Sequence, residues 1–72
     1  MQTKLRQHAI GICNKKIDQK GSDVGISFYA FFKNKNDDPE ALMSAATWWI
    51  TKHKLDHFEK AIKIKQLLEQ GL

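Results

Sequence analysis

A disulfide needs two cysteines, and these 72 residues contain one, Cys13. No internal disulfide can form, and no cysteine pair suggests a zinc site. Such usage fits a reducing compartment, so a cytoplasmic location is expected. Long apolar runs are also missing. None approaches the roughly 18 residues of a membrane-spanning helix, and there is no signal-peptide pattern. The chain has no Gly-rich phosphate loop, no Gly-x-Ser-x-Gly turn and no pair of catalytic carboxylates. It therefore reads as a protein that is not an enzyme and needs no cofactor. Arginine occurs once, as Arg6.

What is present bounds the fold. A chain of this length makes one domain, residues 1–72, and buries only about 60% of its unfolded surface. It lies near the lower limit for folding without staples. Twelve Lys and Arg against eight Asp and Glu give a net charge of +4. That favours contact with anionic partners without naming one. Lysine is spread through every segment, as on a solvated surface.

Residues 38–72 read as a helical hairpin. Asp38 can cap a helix, Pro39 suits its first position and Glu40 its positive end. Leu42, Ala45, Ala46, Trp49, Ile50 and His53 then recur on one face. Trp48 falls on the back of that helix. A second start follows at Asp56, whose spacing to Glu59 is that of a capping box. Phe58, Ala61, Ile62, Ile64 and Leu68 make its apolar side. Lys65 falls inside that arc, as a snorkelling lysine would.

Earlier in the chain, Leu5, Ala9, Ile12, Cys13 and Ile17 predict a helix over 3–20, stopped by Gly21. Gly11 weakens its middle and suggests close approach by another helix. Residues 22–36 support two readings. Ser22 or Asp23 could cap a helix with Val24, Phe28, Phe31 and Phe32 on one face. The same run, VGISFYAFF, is rich in strand formers. A lone strand needs a partner and no other segment reads as one, so helix is the expectation. Asn34, Asn36, Asp37 and Asp38 make the turn that follows. The fold expected is all-α: a compact four-helix domain with a C-terminal helical hairpin. Trp49, Ile50, Leu42 and Phe58 should be buried together.

The hairpin and the pattern SFYAFFKNKNDDPE…WW…HKLDHFEKA resemble a family of small bacterial helical proteins of unknown function, some of them carried on mobile gene cassettes. The resemblance covers most of the chain. It implies a bacterial, all-helical, cytoplasmic protein, and it carries over no activity and no catalytic residue.

Four groups of residues are candidates for function. His53 and His57, four apart and flanking Asp56, could share a metal if one helix carried both; Leu55-Asp56 reads as a break between them, and structural zinc sites usually declare four ligands. Cys13 beside a histidine would make a nucleophile pair, but its place on an apolar face argues for packing. Tyr29 or Trp48 could stack on bases, although the exposed face of the third helix carries Glu40, Ser44, Thr47 and Thr51 instead of base-reading side chains. Protein association is the leading class. Trp and Tyr are favoured interface anchors, and Trp48 and Tyr29 are the candidate partner residues. The expected function is a small helical interaction module, a homodimer, with nucleic acid as a weaker alternative partner and no membrane contact. Trp48 has two expected fates: covered by its own chain, or partly open and anchoring a second one.

Overall fold

Helix α1 spans Thr3–Lys20 in the computed structural model, as the apolar spacing predicts. The structure describes residues 3–32 and 38–72. Leu5, Ala9 and Cys13 are buried, and Ile12 and Ile17 pack at the core's edge. Gly21 stops the helix. Its φ of +92° lets its N–H donate to the Ile17 carbonyl at 2.8 Å, a left-handed conformation open to glycine without a Cβ clash. The expectation for Gly11 fails. Among the described residues a Cβ placed there would meet nothing within 4 Å, and none of their helices approaches it.

Residues 22–32 do not make the expected second helix. Gly25–Ile26 is a short strand, β1, and Phe28–Phe31 is one 3₁₀ turn. β1 pairs antiparallel with β2, Glu59–Lys60, setting Gly25 opposite Lys60 and Ile26 opposite Glu59. The partner strand does exist, and composition hid it, because Glu and Lys are depleted in strands. The turn read at Asn34, Asn36 and Asp37 lies outside the described residues.

Helix α2, Pro39–Ala46, starts as expected: the Asp38 carboxylate accepts the Ala41 N–H at 3.0 Å and Pro39 opens the first turn. From Thr47 to Lys52 the helix widens into π form. The His53 N–H then donates to the Trp48 carbonyl, five residues back, at 3.1 Å, the spacing that defines a π turn.

The buried stripe of this helix is not the one expected. Ala45, Trp48 and Trp49 are buried, Ala41 and Leu42 border the core, and Ile50 is 55% exposed. Ala41, Ala45, Trp48 and Trp49 also satisfy helical spacing, at i, i+4, i+7 and i+8. Two apolar arcs therefore compete on one helix. The arc holding both indoles removes more apolar area from water than the one holding Ile50, and it wins.

The last helix, α3, spans Ala61–Glu69 and does not begin at Asp56. The Asp56 N–H does donate to Glu59 Oε2 at 2.7 Å, as in a capping box. That contact closes a turn leading into β2. The first helical N–H, of Ala61, instead donates to the Val24 carbonyl at 2.9 Å. Phe58 therefore precedes the helix and is 64% exposed instead of buried.

Helix α1 packs chiefly on α3, so the two C-terminal helices are not each other's main partner. The pair is antiparallel. Arg6, early in α1, donates to the Leu68 carbonyl late in α3, while Val24, just past α1, binds the start of α3. Trp49 is the hub of the aromatic core. Its ring lies 6.0 Å from Phe28, 6.2 Å from Phe31 and 6.4 Å from Trp48. Helical residues make up 69% of those described. The fold is thus mainly helical, with three α-helices and a two-stranded sheet among the described residues in place of four helices. No helix among them is long and apolar enough to cross a membrane. The radius of gyration, 11.2 Å, equals the roughly 11 Å expected of a compact chain this long.

Candidate functional site

Trp48 is covered by its own chain and only 2% exposed. Its indole N–H donates to the Leu72 carbonyl at 3.0 Å. The π turn stacks residue i on i+5, and the His53 ring sits edge-on to Trp48 with centroids 4.6 Å apart. Of its two expected fates, Trp48 takes the core one. Tyr29 keeps 37% of its surface exposed and leans on Phe28 at 4.2 Å between rings.

The histidine pair separates. His53 lies on Trp48, whereas His57 packs against Phe58 at 4.7 Å. Lys54, with a φ of +49°, turns the chain between them. Among the described residues no group of three or more His, Cys, Asp or Glu side chains could hold a metal ion. Nε2 of His53 is buried without a hydrogen-bond partner among the described residues. Cys13 is fully buried, and that burial pushes its thiol up to about 11 against the opposing pull of Lys65. A thiol so placed carries almost no thiolate near neutrality and is a poor nucleophile.

Apolar side chains do reach solvent, on the outer face of α2 and its π extension. Met43 is 66% exposed and Ile50 55%. They lie seven residues apart, Met43 in α2 and Ile50 in its π extension. Met43 also lines an open groove of about 310 Å³ together with Ser44, Thr47, Trp48 and Lys52. Lys52 is held at one wall, where its ammonium donates to the Leu72 carbonyl at 2.6 Å. Sequence reasoning missed this face because it took Ile50 for core. The signal that could have found it was the pair of adjacent tryptophans: burying both turns Ile50 outward.

Residues 16–68 match a family of unknown function, DUF6500. The chain belongs to this family. The match runs from the last turns of α1 into α3, so it takes in the sheet, the 3₁₀ turn, both tryptophans and the exposed α2 face. No curated protein and no solved structure matches the chain.

Proposed function

We propose that this member of a family of unknown function is a small interaction module that pairs with a second copy of itself, in a role that is not catalytic. The observation carrying this reading is the outer side of α2 and its π extension, where Met43 and Ile50 are more than half exposed and Met43 lines an open groove. Large apolar side chains left in water next to a concave surface are what a second chain covers favourably. Two copies related by a twofold axis would set the same face against itself, each Met43 meeting the groove of its partner. Tyr29, partly exposed, is a further candidate contact. The unpaired Cys13 favours a reducing, cytoplasmic setting.

Sedimentation equilibrium from micromolar to millimolar concentration tests the pairing. The native chain is expected to reach dimer mass, and Met43→Lys/Ile50→Lys to remain a monomer with unchanged helical circular dichroism. A native chain that stays monomeric over that range refutes it.

A further inference from the structure

Lysine is spread along the chain, but the acids that would balance it are not. Helix α1 holds Lys4, Arg6, Lys15, Lys16 and Lys20 against Asp18 alone. Its excess of four positive charges equals the net +4 of the protein, so everything outside α1 is neutral in sum. The ion pairs among the described residues, Lys60–Asp23 and Lys63–Glu59, lie outside α1. Arg6 is engaged by the Leu68 carbonyl, whereas Lys4, Lys15, Lys16 and Lys20 make no ion pair among the described residues.

The helix sorts these groups. At about 100° per residue, Lys4, His8, Lys15 and Gln19 fall on one strip along the edge that meets the 3₁₀ turn. His8 Nε2 donates to the Phe31 carbonyl at 2.8 Å and stitches the two elements together midway. On either side of that stitch the seam opens. One cleft, about 300 Å³, is lined by Ile12, Lys15, Lys16, Gln19 and Ala30. The other, about 260 Å³, holds Lys4 and His8 with Phe31, Phe32 and Asp38. Lys4 and Lys15 are eleven residues apart, about 16 Å along the axis. No single phosphate group spans that distance, so a small phosphorylated metabolite cannot use both clefts.

Gly11 borders the strip midway. Glycine is the poorest helix former after proline, and among the described residues nothing comes within 4 Å of where its Cβ would be. Its missing side chain gives no internal packing advantage, and it leaves the helix backbone open to approach from outside. Gln7 and Gln19, both exposed, flank it with amide donors and acceptors. Among the described residues of α1 no large apolar side chain stands exposed, as insertion into a bilayer would need.

We propose that this strip of α1 binds the phosphate backbone of a nucleic acid, its lysines at the two clefts taking separate phosphates and the chain of the polymer passing over Gly11. Lysine and glutamine contacts to phosphate and sugar fix position without reading sequence, which fits a helix with one arginine.

Fluorescence anisotropy with a labelled 20-base-pair DNA duplex, at salt from 50 to 200 mM, tests this. Three lysine contacts, Lys4 at one cleft and Lys15 and Lys16 at the other, give a slope of log affinity on log salt near −2.7, about a 40-fold loss across that range. Lys4→Gln/Lys15→Gln is expected to bring the slope to about −0.9 with an unchanged circular dichroism spectrum. Lys60→Gln/Lys63→Gln, which removes the same charge elsewhere, is expected to leave the slope intact. No binding at 50 mM salt overturns the proposal. So does an equal effect of the two double variants, which would reduce the attraction to net charge. Equal competition by polyglutamate, or binding to anionic vesicles and not to DNA, also overturns it by assigning the strip to acidic proteins or to a membrane.

Discussion

Replacing Trp49 by alanine tests the register of the whole α2 segment, because its neighbour Ile50 supplies an internal control. Trp49 is 1% exposed and its ring touches Phe28, Phe31 and Trp48. Its indole N–H also donates to the Asp56 carbonyl at 2.6 Å, fastening the loop after the π turn to the core. Truncating a buried tryptophan costs about 3–5 kcal/mol in lost transfer energy and residual cavity. The abandoned Asp56 carbonyl adds about 1 kcal/mol, less where water can reach it. A domain of this length has roughly 4–11 kcal/mol of total stability, so Trp49→Ala should remove most of it. Ile50 is 55% exposed, and Ile50→Ala should cost no more than about 0.5 kcal/mol. Urea titration followed by circular dichroism measures both. A loss below about 1 kcal/mol for Trp49→Ala would show that the hub was misplaced. An Ile50→Ala loss as large as that of Trp49→Ala would refute the register and restore the other arc to the core.

Three further outcomes follow from local geometry. Gly11→Ala is expected to stabilise the chain by about 0.5–1 kcal/mol, raising the melting temperature by several degrees, because the site is helical and open; a drop in melting temperature would reveal an unseen neighbour. Cys13 in the native protein should resist a thiol-specific reagent at pH 8 and react on unfolding, and rapid native labelling would contradict its burial. Glu59 is held below the usual carboxylate range, first by the Asp56 N–H and then by Lys63. A lowered folded value means its contribution is complete above the unfolded value near 4.5 and disappears as pH falls through the folded one. Urea midpoints from pH 6 to pH 3 should therefore fall more steeply for the native chain than for Glu59→Gln, and parallel curves would exclude the contact.

Local signals carried much of this protein. The apolar spacing of Leu5, Ala9 and Cys13 located α1, Gly21 marked its end, and Asp38-Pro39 marked the start of α2, because capping and periodicity act within a turn or two of the chain. The spacing of Asp56 to Glu59 likewise foretold a real contact. What that contact leads into is not local. Glu59 and Lys60 became a strand because Gly25 and Ile26, more than thirty residues away, offered an edge, and that shortened α3 and left Phe58 in water. The choice between the Trp48 and Ile50 arcs was also tertiary: both satisfy helical spacing, and only the shape of the core formed by Phe28, Phe31 and α1 decides which is covered. The candidate surfaces follow from the same decisions. The charge of α1 could be counted in the sequence, but the seam with the 3₁₀ turn that gathers Lys4, His8, Lys15 and Gln19 beside two clefts exists only once residues 22–32 abandon the helix, since a backbone segment takes the conformation whose hydrogen bonds the rest of the fold completes.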